Sequence, residues 1–240
     1  MYFTAGYPEL NDTATIIKEL EASGADIVEV GMPFSDPVAD GPTIQVSNLK
    51  ALHNGMSIKK LLEQLKEIKD EVKIPILLMG YINPIWKYGL ERFMYACEES
   101  GVSGLILPDI PLNEFVKDFK PLYDKHNLSN VFLITPQTSD ERIRAYDAAC
   151  NGFIYMVSSA STTGANKTVD EEKQVAYFNR VKNLNLKNPT QIGFNIRDKV
   201  SFDRACRYAN GGIIGSAFIK KLSEEGDLKT KVQEFVKSIR

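Results

Sequence analysis

Short apolar runs alternate with stretches of helical periodicity along the whole chain, and this alternation limits the possible folds more than any other feature. Eight runs are predicted to be strands: residues 2–4, 26–30, 75–79, 105–107, 131–134, 153–157, 190–193 and 212–214. They are apolar throughout, which is typical of strands in a parallel sheet that helices cover on both faces. The sequence therefore predicts an α/β protein.

The helical stretches between the strands have identifiable start and stop signals. Helices are predicted from Asn11 or Asp12 to Gly24, from Pro42, from Ser57 through Ile68, over Leu90–Ser100, through Phe115 and Phe119, over Asp140–Ala149, Asp170–Leu184 and Asp198–Tyr208, and from Ala217 onward. Ser57 and Ser139 are predicted to cap the helices that follow them, because a serine hydroxyl can accept from the N–H groups of a first turn.

Eight strand–helix units in 240 residues fit one (β/α)8 TIM barrel spanning residues 1–240. The alternative is a doubly wound open sheet, which commonly carries a Gly-x-Gly-x-x-Gly fingerprint after its first strand. The first complete strand, residues 26–30, is not followed by that pattern, and no linker, repeat or low-complexity segment divides the chain. We predict a single barrel domain.

Two carboxyl groups lie on one predicted strand-to-helix connection. Glu29 belongs to an apolar strand, and no Lys or Arg lies between Lys18 and Lys50 to balance its charge. Burial among such neighbours raises the pKa of a carboxyl group. Asp40 precedes Pro42, which is well suited to the first turn of a helix. Two carboxyl groups in different surroundings can divide acid and base roles. The alternative is that Glu29 bonds to backbone donors and Asp40 caps the helix.

Active sites of TIM barrels lie at the C-terminal ends of the strands, so residues there are candidate site residues. They are Thr4, Glu29, Tyr81, Asp109, Thr135-Pro136, Tyr155, Gly193-Phe194-Asn195 and Gly215-Ser216. The last two clusters follow the final two strands, where backbone N–H groups and a helix N-terminus can bind a phosphate. Ordinary turn geometry explains such small residues too. Tyr81, Tyr155 and Phe194 either line an apolar pocket or belong to the core.

Residues 158–167 are small and polar, which suits either a lid that closes over a ligand or an ordinary solvated loop. Lys and Arg number 29 against 31 Asp and Glu, so no basic surface indicates nucleic acid or an anionic membrane. The three cysteines are scattered and the two histidines lie far apart, which supports neither a disulfide framework nor a metal site. Without an apolar run long enough to span a bilayer, the expectation is a cytoplasmic protein.

The run Glu29-Val-Gly-Met-Pro-Phe-Ser-Asp-Pro-Val-Ala-Asp-Gly-Pro-Thr-Ile-Gln45 resembles the signature of the tryptophan synthase alpha chain family. Further motifs match that family in the same order: Tyr2-Phe-Thr-Ala-Gly-Tyr-Pro8, Gly80-Tyr-Ile-Asn-Pro84, Pro108-Asp-Ile-Pro111, Thr163-Gly164 and Ile214-Gly-Ser216. The resemblance covers essentially the whole chain. It implies a TIM-barrel lyase that cleaves indole-3-glycerol phosphate to indole and glyceraldehyde 3-phosphate in tryptophan biosynthesis, by a retro-aldol reaction.

The resemblance also implies roles for individual residues. Glu29 would protonate the indole ring carbon and take the proton of the substrate hydroxyl, while Asp40 would stabilise the positive charge that develops at the indole N–H. The implied substrate-binding residues are Tyr81, Tyr155, Thr163, Gly164, Gly193, Phe194, Asn195, Gly215 and Ser216, with Thr163 bonding Asp40 when the lid closes. No cofactor is implied for this chain. Pyridoxal phosphate is expected only in a beta chain partner. The resemblance implies that this chain contacts the beta chain through Pro33, Phe34 and Asp36 in an α2β2 heterotetramer.

The chain departs from the family pattern at three places. The usual N-terminal helix is expected to be absent. The lid has Ser159, Ser161 and Thr162 where many members carry Arg, Gly and Val, and Asn195 replaces the usual Gly. A left-handed backbone is tolerable for Asn but easier for Gly. These departures leave two alternatives: a catalytically weak subunit that mainly activates a beta chain, and a free-standing lyase that releases indole.

Overall fold

The computed structural model describes residues 1–37, 40–158 and 167–240, with residues 167–170 described by their backbone alone. The described strands are β1 Tyr2–Thr4, β2 Val28–Gly31, β3 Ile76–Met79, β4 Gly104–Ile106, β5 Ser129–Asn130, β6 Phe132–Ile134, β7 Ile154–Val157, β8 Thr190–Gly193 and β9 Gly211–Gly212. Strands β1 to β5 form one sheet in chain order, and β6 to β9 form a second. Pairing is parallel from β1 to β4 and from β6 to β9.

Helices lie between these strands in the chain. They are α1 Asp12–Ala22, α2 Pro42–His53, α3 Ile58–Ile68, α4 Ile82–Tyr88, α5 Leu90–Glu99, α6 Leu112–Glu114, α7 Lys120–Lys125, α8 Asp140–Ala149, α9 Lys167–Asn183, α10 Lys199–Cys206, α11 Ser216–Ser223 and α12 Leu228–Ile239, with a π-helical segment Phe115–Phe119 between α6 and α7. None of the described helices is long and apolar enough to cross a membrane.

The chain divides into two compact units. The first unit comprises Met1–Ser129 together with Gly215–Arg240, and the second comprises Asn130–Ile214. The prediction of a single domain over residues 1–240 stays a prediction. Each unit contains its own parallel sheet, so the strands whose C-terminal ends were expected to carry site residues are divided between the two units.

Helix signals in the sequence correspond well to the structure where they are strong. The Ser57 hydroxyl accepts from the Lys60 N–H at 3.3 Å and begins α3, in which Leu61, Leu62, Leu65 and Ile68 are buried at helical spacing. The Ser139 hydroxyl accepts from the Arg142 N–H in the same way. Both predicted caps are therefore confirmed.

The structure differs from the predicted elements at three places, and the first two differences have local causes. Helix α4 was missed because Asn83-Pro84 reads as a turn, although Pro84 lies in the first helical turn, where its missing N–H has no intrahelical partner to lose. The predicted final helix is two helices, since Gly226 takes a φ of 118° and the Asp227 carboxylate then caps α12. A ninth strand, the two-residue β5, precedes β6.

The register of the first sheet determines which residues share the face of Glu29. Tyr2 pairs with Glu29, and Thr4 pairs with Gly31. Parallel partners project to the same face of a sheet, so Tyr2, Thr4 and Glu29 share one face. Phe3 projects to the other face and packs edge-on against Phe218 of α11, with 6.5 Å between ring centroids. One face of this sheet thus carries polar side chains and the other packs on helices.

Candidate active site

Glu29 lies inside β2 and is 2% exposed. Its Oε2 atom has no hydrogen-bond partner among the described residues, so the interpretation that backbone donors satisfy this carboxyl group fails for that oxygen. Burial raises the pKa of Glu29 to about 7, and the ammonium group of Met1 only partly opposes this effect. Glu29 can therefore both donate and accept a proton near neutral pH.

Asp40 is half-buried and lies two residues before α2 begins at Pro42. Burial raises the pKa of Asp40 to about 6, and a hydrogen bond with the Tyr81 side chain opposes that rise. The residue that caps α2 is Gly41, without a side-chain bond, so the interpretation of Asp40 as a helix cap is wrong. The Asp40 carbonyl instead accepts from the Gln45 side chain at 2.8 Å. Asp40 therefore loses its proton more readily than Glu29.

Tyr81, a predicted site residue, contacts both Asp40 and Phe34, which lies in the loop before Asp40. It precedes α4, and its ring lies 5.4 Å from the ring of Phe34. The Asp109 carboxylate, in the segment that follows β4, accepts from the Ile82 N–H at 2.9 and 3.2 Å and so fixes the start of α4. The structure thus brings Asp40, Tyr81 and Phe34 together, with Asp109 supporting the turn beneath Tyr81.

Tyr2 is a site residue that the sequence interpretation missed. It is buried, and its phenol pKa is raised mainly by burial, then by the Asp40 charge and to a smaller extent by Glu29, while a hydrogen bond with Thr4 opposes the shift. Thr4 and Ser47 lie 2.7 Å apart through their hydroxyl oxygens. A Cβ on Gly31 would collide with the Tyr2 hydroxyl, which explains the glycine there. The strand register, which the sequence does not display, was the missing signal.

Gly215 and Ser216 lie at the N-terminus of α11 in the first unit, where the phosphate-loop interpretation expects them. Gly215 precedes the helix, and a Cβ there would come within 3.1 Å of the Tyr2 ring. Ser216 is the first residue of the helix, where backbone N–H groups have no intrahelical partner. An anion can bind at such a position without any Lys or Arg.

Tyr155, Gly193, Phe194 and Asn195 lie together in the second unit. The rings of Tyr155 and Phe194 are 6.1 Å apart and edge-on. A Cβ on Gly193 would collide with the Tyr155 hydroxyl, so only glycine allows β7 and β8 to carry these side chains at this spacing. Phe194 and Asn195 have φ values of 67° and 59°. Asn195 therefore has the left-handed backbone that Asn tolerates less easily than Gly, and Phe194 shares it.

The remaining predicted residues of the site, Thr163 and Gly164, lie outside the described residues, as do Ser159, Ser161 and Thr162 of the lid interpretation. Their roles stay predictions. Among the residues that the structure describes, no group of three or more His, Cys, Asp or Glu side chains is placed to hold a metal ion.

The first unit therefore carries a buried carboxyl group with a pKa near 7 and a half-buried one with a pKa near 6. The charges of both groups raise the pKa of the buried Tyr2. On a parallel α/β sheet, this pair defines an enzyme of the general acid–base class. The comparisons with known proteins give the family. A family model described as tryptophan synthase alpha chain matches residues 1–239.

The tryptophan synthase alpha chain of Flavobacterium johnsoniae is 55% identical over 240 residues, which cover 100% of this chain and 94% of that protein. Among solved structures, the tryptophan synthase subunit alpha of Legionella pneumophila matches with a TM-score of 0.89 at 31% identity, covering 99% of this chain and 89% of that one. A tryptophan synthase structure from Mycobacterium tuberculosis matches with a TM-score of 0.87 at 30% identity and the same coverage.

The chain belongs to the tryptophan synthase alpha chain family. The α/β fold class predicted from the sequence is confirmed, because these solved structures share the fold over 99% of the chain. The predicted lyase of tryptophan biosynthesis is confirmed at the level of the family.

Proposed function

We propose that this protein cleaves indole-3-glycerol phosphate into indole and glyceraldehyde 3-phosphate, with Glu29 as the general acid and base. The observation that carries the proposal is the buried Glu29 carboxyl group, with its unpartnered Oε2 atom and a pKa near 7. A carboxyl group of ordinary pKa is ionised at neutral pH and donates protons poorly, whereas Glu29 is available in both forms.

The proposed reaction conserves atoms and electrons without a cofactor. Glu29 donates its proton to the indole ring carbon that bears the glycerol chain, and the ring nitrogen becomes cationic. The bond between that ring carbon and the carbinol carbon then breaks, and its electron pair returns to the ring and neutralises the nitrogen. The carbinol O–H becomes a carbonyl as its proton passes to the Glu29 carboxylate, which restores the acid. One group can serve both steps if it first donates a proton to the ring carbon and then accepts one from the carbinol hydroxyl.

Asp40 has the electrostatic role in this proposal. Above pH 6 its carboxylate is ionised and can lie opposite the N–H group whose charge turns positive during the reaction. The hydrogen bond with the Tyr81 side chain holds the carboxylate and favours its ionised form. Since Glu29 reacts first in its protonated form, the productive ionisation state of the free protein, with Glu29 protonated and Asp40 ionised, is most populated between about pH 6 and pH 7.

The proposed phosphate-binding residues lie at the turn after β8 and at the turn before α11. They are Gly193, Phe194, Asn195, Gly215 and Ser216. The resemblance adds Gly164 of the lid. Tyr81, Tyr155 and Thr163 are proposed to contact the rest of the substrate or, for Thr163, Asp40. Backbone N–H groups supply the binding, so the shape of each turn decides the affinity for the anion.

An indole-release assay on the purified chain, with and without a tryptophan synthase beta chain, tests the proposed function. We expect measurable release of indole by the chain alone and faster release with the partner. Release that requires the partner would favour the alternative of a catalytically weak subunit, which the left-handed backbone of Asn195 supports. The retention of both Glu29 and Asp40 favours a competent lyase.

We further propose that a beta chain carrying pyridoxal phosphate is the partner, in a cytoplasmic α2β2 assembly, and that Pro33, Phe34 and Asp36 contact it. Pro33 and Phe34 are half-buried and Asp36 is exposed. Phe34 packs on Tyr81, whose side chain bonds Asp40, so a partner that moves this loop has a direct path to the second carboxylate.

Asp36→Ala should weaken activation by a beta chain several-fold while changing the basal rate of the isolated chain by less than about twofold. The Asp36 carboxylate accepts a hydrogen bond from Ser35 and, among the described residues, bonds to neither Glu29 nor Asp40. Titrating beta chain against a fixed amount of each variant gives both quantities. Glu67→Ala, which removes an exposed carboxylate from α3, is the matched control. Equal losses of basal and activated rates would show that Asp36 supports the site and not the interface.

A further inference from the structure

The turn that follows β8 contains two consecutive residues in the left-handed region of backbone conformation. Phe194 has a φ of 67° and Asn195 a φ of 59°. Asparagine adopts this conformation more readily than other side chains, but for a bulky aromatic residue it is a true outlier. Such a residue carries backbone strain and persists only where the surrounding structure imposes the conformation. Something in the second unit must therefore hold this turn.

Ser158 makes the bonds that hold it. β7 and β8 pair through Val157 and Gly193, and the Ser158 N–H continues the pairing by donating to the Gly193 carbonyl at 3.1 Å. The Ser158 hydroxyl reaches one residue further and donates to the Phe194 carbonyl at 2.7 Å. Ser158 is 3% exposed, so both bonds are shielded from water. Because the carbonyl it binds belongs to the strained residue, the hydroxyl acts on the conformation of the turn itself.

The position of Ser158 is fixed in turn by α9. The Gln174 side chain donates to the Ser158 carbonyl at 3.0 Å. The serine is thus tied at its N–H, its hydroxyl and its carbonyl, to β8, to the turn and to α9. A residue held at three points keeps its hydroxyl in a fixed position, whereas a mobile hydroxyl would follow the turn.

Holding the Phe194 carbonyl also sets the direction of the next N–H group. The peptide unit between Phe194 and Asn195 is planar, and in a trans peptide the C=O and N–H bonds point in opposite directions. With its carbonyl directed at Ser158, this unit directs the Asn195 N–H away from Ser158. The loop of which Asn195 is part is the proposed phosphate-binding turn, and such binding depends on where the backbone N–H groups point.

We propose that Ser158 is a positioning residue for phosphate recognition: its hydroxyl imposes the left-handed Phe194–Asn195 turn and thereby sets the affinity for the phosphate end of the substrate. The proposal rests on the proposed function, in which this turn binds the substrate phosphate. It assigns Ser158 a role in binding and none in the proton transfers.

Ser158→Ala is the first test, with inorganic phosphate as the direct probe. We expect the dissociation constant for inorganic phosphate, measured by calorimetry, and the KM for indole-3-glycerol phosphate to rise by about five- to tenfold, the range of one buried hydrogen bond. The kcat should change by less than about twofold. Ser158→Thr keeps the hydroxyl and should restore wild-type binding, and Ser158→Cys, a near-isostere with a weak donor, replaces the alanine variant if that one does not fold.

Ser100→Ala is the matched control. Ser100 is also 3% exposed and its hydroxyl also donates to a backbone carbonyl, that of Leu62 at 3.0 Å, but it lies in the first unit. The control should lower the melting temperature by an amount similar to Ser158→Ala without affecting phosphate binding. If the two variants were alike in phosphate affinity, Ser158 would be merely a structural residue and the proposal would be overturned.

A double variant tests the stated mechanism. Glycine takes positive φ at little cost, so Asn195→Gly removes part of the strain in the turn that the Ser158 hydroxyl holds. In that background Ser158→Ala should change phosphate affinity by a clearly smaller factor than in the wild type, and equal factors in both backgrounds would contradict the mechanism. The phosphate titration needs no turnover. A wild type that binds phosphate through Ser158 but releases no indole would sink the proposed function alone.

Discussion

Glu29→Gln should lower the kcat for indole release by about 10²–10⁴-fold, the usual contribution of a general acid–base group, while leaving the fold intact. The amide has nearly the shape of the carboxyl group but can neither give up a proton to the ring carbon nor accept one from the carbinol hydroxyl. Among the described residues the Oε2 atom of Glu29 has no hydrogen-bond partner, so no group bonded to that atom can take over the proton transfers. Steady-state indole release by wild type and variant measures the effect.

The control for this result is Glu67→Gln, which makes the same chemical change at an exposed position of α3 and should be silent. Glu29→Gln that retained more than about a tenth of wild-type turnover would remove Glu29 from the acid–base role. Loss of activity accompanied by loss of folding would leave the two causes mixed, so the free energy of unfolding should be measured on the same samples.

That free energy has its own expected pH dependence. Burial raises the pKa of Glu29 from its ordinary 4.5 to about 7 in the folded protein, so the folded state binds more protons than the unfolded state between these values. The stability of the wild type therefore falls as pH rises from about 4.5 to 7, by about 3 kcal/mol at most. Glutamine does not ionise. Urea unfolding at pH 5 and pH 8 should show the variant gaining stability relative to the wild type at the higher pH, and an unchanged difference would mean that Glu29 is ionised without penalty.

Several features of the site could be predicted from sequence because they depend on local pattern alone. The apolar strand around Glu29 and the lack of a Lys or Arg between Lys18 and Lys50 predicted a raised pKa for Glu29, which agrees with its burial in the structure. The α3 stripe and its serine cap follow from spacing in the same way. The Gly-to-Asn difference at position 195 raised the question of a left-handed backbone there, and Asn195 has a φ of 59°.

Other features depend on contacts between distant segments, which local patterns do not contain. Tyr2 shares the face of Glu29 because β1 and β2 pair in one particular register, 27 residues apart in the chain. Phe194 adopts a conformation that its residue type disfavours, and its carbonyl accepts from the hydroxyl of Ser158, which follows the neighbouring strand β7. Both cases involve a contact with a residue that lies far away in the chain. The roles of Thr163 and Gly164 stay predictions.

Asp40→Asn should reduce the kcat by about 10²–10³-fold, the effect of removing one preorganised electrostatic group, with little change in substrate affinity. The asparagine keeps the shape and one acceptor oxygen for the Tyr81 side chain, so the turn before α2 should be preserved. What it loses is the negative charge that favours a cationic indole nitrogen over a neutral one. The charge matters only once the ring is protonated, so its loss should fall on kcat and not on the binding of the uncharged ring.

The pH profile separates this role from a structural one. Burial places the pKa of Asp40 at about 6, so the acid limb of wild-type kcat/KM should lie near that pH as the carboxylate gains its proton. In Asp40→Asn that limb should disappear, because nothing titrates at this position. Tyr81→Phe, which removes the hydrogen bond that lowers the pKa of Asp40, should instead move the limb to higher pH while keeping most of the maximal rate. A collapse of substrate affinity in Asp40→Asn, or an acid limb that stays near pH 6, would show that Asp40 holds the loop and that another group stabilises the indole cation.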